Sequence, residues 1–157
     1  AKVAEAAKGL DAAVVATETV QSYYWWEGKV QFDPEWRVTV TTTAPFDAAR
    51  GAIEKAHSYD LPMIIYDLDA APGDHGYWKG LVDCDDQAAA IALAQALVEQ
   101  RVVACAQATP HGGLAVKTVI ACKAKVEDKA PSVRWSAIGG NEGYLKWLEE
   151  ECVAAKS

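Results

Sequence analysis

Alternation and helical spacing of apolar residues divide the chain into short elements. Lys2 to Leu10 reads as a short amphipathic helix closed at Gly9. Ala12 to Lys29, rich in Val, Thr, Tyr and Trp, reads as one long strand with a tight turn or bulge at Glu27-Gly28-Lys29. Asp33-Pro34 punctuates the chain before a second strand, in which Trp36, Val38 and Val40 alternate with Arg37, Thr39 and Thr41 up to Thr43. Pro45 stands at a first helical position, and Phe46, Ala49, Ile53 and Ala56 recur at helical spacing as far as His57. Pro62 to Leu68 predicts an apolar strand, a loop holding Pro72, Gly73 and Gly76 follows, and Leu81 to Cys84 is a short strand. Asp86 is placed to cap the alanine-rich helix Gln87 to Gln100, and Val102 to Gln107 is the next strand. Weaker strands lie at Leu114 to Ile120 and Val133 to Ile138, with a short helix between them. Glu142 to Ala155 closes the chain as a helix that buries Tyr144, Leu145, Trp147 and Leu148.

This alternation predicts a mixed α/β (α+β) fold of split βαβ units, a ferredoxin-like antiparallel sheet with helices on one face. A chain of 157 residues is long enough for one core or for two small fused units, and 51% hydrophobic residues exclude a disordered chain. Charges interrupt every long apolar run, so no segment is expected to span a bilayer. Ala1 to Glu5 lacks the apolar stretch of a secretory signal, and a cytoplasmic location is the expectation. With 22 acidic against 15 basic residues the formal charge is −7, which disfavours a nucleic-acid partner and chiefly confers solubility.

The four cysteines, Cys84, Cys105, Cys122 and Cys152, show no CxxC spacing, so reduced core thiols are expected rather than a structural zinc site. Asp83, Asp85 and Asp86 carry no EF-hand spacing, and helix capping is the better account of them. No GxSxG, HExxH or P-loop pattern is present, and no catalytic role is expected.

Four segments together are specific. Tyr24-Trp25-Trp26-Glu27-Gly28-Lys29 is similar to the YWWxGK hairpin of the CutA divalent-cation-tolerance family, and His57-Ser58-Tyr59-Asp60-Leu61-Pro62 to its HPYExP motif. Ala94 to Cys105 resembles the family's first helix running into its second strand, and Asn141 to Leu148 its closing helix. The order differs from the family's, because Leu81 to Gln107 follows the fourth strand instead of opening the chain. A weaker internal echo relates Gly76-Tyr77-Trp78-Lys79-Gly80-Leu81 to Gly143-Tyr144-Leu145-Lys146-Trp147-Leu148. The chain therefore reads as a circularly permuted unit over residues 1–100 and a partial second copy over 101–157, packed on the first or swapped with it. Such a rearrangement is also what an engineered chain would show.

The resemblance implies a homo-oligomer, trimeric in the family, whose long hairpins pair across subunit edges, with weak binding of copper(II) or another divalent cation and no enzymatic reaction. His57 is then the first candidate metal ligand and Cys105 the second, since imidazole and thiolate suit copper. The plainer readings are a helix-end histidine and a core thiol. His75 and His111, beside glycines, read as exposed loop residues. Tyr24, Trp25, Trp26, Glu27, Lys29, Tyr59 and Asp60 are the implied interface or cleft residues, Trp25 and Trp26 pointing to opposite faces of their strand. Ser58, Asp60 and Met63 stand where the family has Pro, Glu and Glu, and the family's lysine is missing after Val38 to Thr43, a Lys-Thr pair occurring instead at Lys117-Thr118. The alternative function is a small-molecule-binding regulatory module of the trimeric ferredoxin-like type.

Overall fold

The aromatic segments form a single long hairpin in the computed structural model, which describes residues 2–11, 14–57, 63–67 and 76–153. Strands β1 (Val14–Trp26) and β2 (Lys29–Thr41) are 13 residues each and pair antiparallel along their whole length. Glu27 and Gly28 form the turn with φ of 53° and 79°, the two-residue geometry whose twist matches that of the strands. The sequence reading starts the second strand at Trp36, whereas β2 begins at Lys29 and runs through Asp33-Pro34. The reason is position: β2 is an edge strand, where a residue without an N–H is tolerated on the open side.

Strands β3 (Ile65–Asp67), β4 (Tyr77–Asp83), β5 (Cys105–Ala108), β6 (Gly113–Val119) and β7 (Arg134–Gly140) complete a seven-stranded sheet. Its order is β2-β1-β5-β6-β4-β7-β3, and every neighbouring pair is antiparallel. Helices α1 (Lys2–Lys8), α2 (Phe46–Ala56), α3 (Gln87–Glu99), α4 (Lys123–Lys129) and α5 (Glu142–Glu151) join or cover these strands. The connections β4-α3-β5 and β6-α4-β7 each step over one strand, the interleaved crossover of ferredoxin-like folds. The boundary expected at residue 100 falls between α3 and β5, and the two expected units share this sheet through β1–β5, β4–β6, β4–β7 and β3–β7.

The helices do not all lie on one face, which corrects the expectation. Side chains alternate along β5, so Ala106 and Ala108 face one way and Cys105 the other. The first face packs against Ala90, Ala94, Leu97 and Val98 of α3 and Val126 of α4, together with Tyr23, Leu114 and Val116. The second packs against Tyr144 and Leu148 of α5. Spacing of i, i+4, i+7, i+8 gives α3 one apolar stripe, and its alanines let it approach the sheet closely. Asp86 caps this helix as expected, its carboxylate accepting from the Ala89 N–H at 2.8 Å.

The two echoing segments fold differently. Gly143 to Leu148 lies in α5, whereas Tyr77 to Leu81 lies in β4. Gly80 suits the strand, because a Cβ there would stand 2.8 Å from Val133 and 2.9 Å from Trp135. At the opposite edge Tyr66 of β3 lies over Gly139 of β7 and packs tilted against Phe46 with ring centroids 4.2 Å apart, anchoring a three-residue strand and the start of α2. The terminal helix ends at Glu151, short of the expected Ala155; residues 154–157 lie outside the described residues.

Candidate functional site

Cross-strand register carries a polar row over the face that α5 covers. Tyr24 is opposite Cys105, Cys105 opposite Lys117, Lys117 opposite Lys79, and Lys79 opposite Ser136. One register step away Asp33, Ser22 and Gln107 are aligned in turn. Lys117 is only 2% exposed, and its ammonium donates to Gln107 Oε1. The Gln107 amide donates in turn to Ser22 Oγ at 2.9 Å. Burial pulls the Lys117 ammonium down from 10.5 to about 8; Cys105 and Glu35 act against that, Arg37 and Lys79 with it. Neighbouring Lys79 keeps a partner nearer the surface, Asp67 Oδ1 at 2.8 Å. Tyr24 donates to Asp33 at 2.5 Å, and Arg37 pairs with Glu18 through its Nε at 2.8 Å. No spacing rule marked this network; its one sequence signal was the Lys-Thr pair at Lys117-Thr118.

His57 follows α2 and is partly exposed. Burial lowers its imidazole below the usual range against the opposing pull of Glu35, which favours the neutral, metal-binding form at neutral pH. Cys105 is buried beneath α5, its Sγ 3.1 Å from the Tyr144 hydroxyl. Among the described residues no three His, Cys, Asp or Glu side chains converge as a metal-binding group. These donors therefore do not make a closed metal centre, which would need about four ligands. The acidic cluster disperses as well, since Asp86 caps α3 while Asp83 pairs with Arg134 at 2.7 Å. Arg134 holds the Asp83 carboxyl below its ordinary value. His111 is exposed in the β5–β6 turn, and Tyr59, Asp60 and His75 lie outside the described residues.

At the hairpin tip Trp25 and Trp26 point to opposite faces, and each finds a different environment. The Arg101 guanidinium sits 4.5 Å from the Trp25 ring and bonds Glu151 at 2.8 Å. Trp26 is 44% exposed and lines, with Glu27, Lys146, Trp147, Glu150 and Glu151, a groove of about 470 Å³ between the hairpin and α5. Lys29 is exposed beyond it. The hairpin reaches past the rest of the sheet, because only Gln21 to Tyr24 of β1 pair with β5. Along it Val14, Phe32 and Trp36 are 66%, 65% and 68% exposed, and β2 leaves one edge unpaired. No helix among the described residues is long and apolar enough to cross a membrane.

The hairpin and the helix that follows it fall inside the region shared with known proteins. The family pattern described as CutA1 divalent ion tolerance protein matches residues 3–83, slightly more than half of the chain. Protein CutA 1, chloroplastic, of Oryza sativa subsp. japonica is 39% identical over 57 residues, 36% of this chain and 32% of that protein. The Divalent-cation tolerance protein CutA of Thermococcus kodakarensis is 33% identical over 64 residues, 40% of this chain and 62% of that protein. Its namesake in Pyrococcus horikoshii is 33% identical over 60 residues, 37% of this chain and 59% of that protein. The matched stretch spans less than two thirds of each relative's length. No solved structure matches the chain significantly. From α1 to β4, over slightly more than half its length, this chain belongs to the CutA1 divalent ion tolerance protein family.

Proposed function

We propose that the chain serves divalent-cation tolerance as an oligomeric, non-enzymatic scaffold that binds cations such as copper(II) weakly at its surface. Family membership supports the cation-tolerance role, and the two archaeal relatives are named for it. The observation that carries assembly is the unpaired edge of β2 with Phe32 and Trp36 exposed on its arm, since a long apolar edge invites pairing with another chain. Pairing of β2 with a second copy would cover it, with Trp26, Glu27 and Lys29 at the rim of the contact. The permuted unit 1–100 and its partial companion 101–157 belong to the same proposal. The exchange of strand partners between the two segments supports it, as β1 pairs with β5 and β3 with β7.

His57 is the proposed ligand, because it is neutral, partly exposed and close enough to Glu35 to feel its charge. Cys105 joins it only if α5 lifts from the sheet. Calorimetric titration with copper(II) tests this: wild type should bind with micromolar or weaker affinity and His57→Ala should lose most of the heat. Unchanged binding by His57→Ala would reject His57 as the ligand. A second reading, a small-molecule regulatory module, has one observation in its favour. Lys117 is a buried cation on the sheet face whose direct partner is the neutral amide of Gln107. Saturable binding of a small carboxylate or phosphate, lost in Lys117→Met, would favour that reading over the first.

A further inference from the structure

Three of the four cysteines gather around α5. Cys105 on β5, Cys122 at the end of the 3-10 turn Ile120–Cys122, and Cys152 directly after α5 share one apolar cluster with Tyr144 and Leu148. Cys105 is engaged with the Tyr144 hydroxyl at 3.1 Å. Cys122 and Cys152 are both fully buried in this one cluster, close enough for each thiol to shift the acidity of the other. Thr118 on β6 reaches the pair, its Oγ1 3.6 Å from Cys152 Sγ.

We propose that Cys122 and Cys152 are a redox pair that closes to an intramolecular disulfide, with hydrogen peroxide as oxidant, tying the start of α4 to the end of α5. Neither thiol belongs to a CxxC motif; the fold alone brings together residues that one strand, two helices and a turn separate. The pair is asymmetric. Cys152, then Thr118 and Lys125, hold Cys122 below the ordinary thiol range, while Cys122 and burial push Cys152 up. Cys122 is thus the thiolate and Cys152 the resolving thiol.

The chemistry balances in two steps. The Cys122 thiolate attacks one peroxide oxygen, an S–O bond forms as O–O breaks, and the departing hydroxide takes up a proton to become water. Cys152 sulfur then attacks Cys122 sulfur, S–S forms as S–O breaks, and the Cys152 proton leaves with the hydroxyl as a second water. Two thiols and one hydrogen peroxide give one disulfide and two waters. Access comes through the last turn of α5, whose final carbonyls lack helical partners and which opens more readily than the sheet. Cys84 offers the contrast. It is more exposed, but burial and the carboxylates of Asp85, Asp83 and Asp86 raise its thiol, which keeps it protonated and slow to oxidise.

Peptide mapping of the full chain without reduction, after brief exposure to hydrogen peroxide, tests the assignment. The expected result is a Cys122–Cys152 linked peptide, an intact mass lower by two hydrogens, loss of two free thiols per chain, and full reversal by dithiothreitol. Cys84→Ser should behave identically, and Cys152→Ser should form no link and leave a Cys122 sulfenic acid that dimedone traps. A link to Cys84 or Cys105, or free Cys122 and Cys152 after Cys84 has been oxidised, would overturn the proposal. Wild-type mapping alone decides the matter if Cys152→Ser does not fold.

Discussion

Lys117 and Lys79 face each other directly across β6 and β4, and only Lys79 has a carboxylate partner. Like charges opposite one another in a sheet oppose pairing, and Lys117 is in addition withdrawn from water. Its side chain is held by the chain of donors that runs through Gln107 to Ser22. This is a costly arrangement within a largely apolar strand.

Replacing Lys117 by methionine should therefore stabilise the protein. The fall from 10.5 to about 8 corresponds to roughly 3 kcal/mol of opposition to folding. The sign over pH follows from linkage. The folded-state value lies below the unfolded one, so the unfolded chain holds more protons between about 8 and 10.5, and wild-type stability rises with pH across that window. Urea unfolding at several pH values should show this rise in wild type and its loss in Lys117→Met. A variant less stable than wild type at neutral pH would mean that the polar row contributes more than burial of the charge costs.

The hairpin turn offers a local test. Gly28 has φ of +79° with open space where a Cβ would be, so only backbone strain distinguishes it from alanine. Gly28→Ala should lower stability by about 1 kcal/mol, read as a shift in thermal midpoint. A neutral result would place the turn outside the cooperative unit.

Leu148, on the buried side of α5, is fully enclosed beside Tyr144 and the three thiols. Leu148→Ala should cost roughly 3 kcal/mol and expose Cys105, Cys122 and Cys152 to thiol reagents in the native protein. Unchanged thiol protection would show that α5 is held by other contacts.

The exposed arm makes a prediction about association. Phe32→Lys and Trp36→Lys place charges along an edge strand, the device by which natural sheets avoid edge pairing. Each should lower the mass in solution or raise the concentration needed for assembly, with far-ultraviolet circular dichroism unchanged. Wild-type assembly in both variants would move the interface away from this arm.

How far the sequence foretold this molecule depends on the range of the interaction concerned. The cap at Asp86, the α3 stripe and the Glu27-Gly28 turn are local, and residue types at fixed spacing announce them. Strand limits were less legible. Pro34 reads as a break until β2 is known to be an edge, and Tyr77 to Leu81 reads as an echo of a helix until Gly80 is seen packed under Trp135. The candidate ligands His57 and Cys105 could be named from the sequence, and the plainer reading of Cys105 as a core thiol agrees with its burial. Least legible were the Lys117–Gln107–Ser22 row and the Cys122–Cys152 pair, because both depend on side chains from distant segments meeting in the folded chain.

The solution mass measured by light scattering, with and without equimolar copper(II), tests assembly through the β2 edge most directly. The account predicts a stable oligomer whose mass is the same in both conditions, with copper bound only as a weak surface ligand. A monomer in both conditions would contradict it, and so would a monomer that associates only when copper is added.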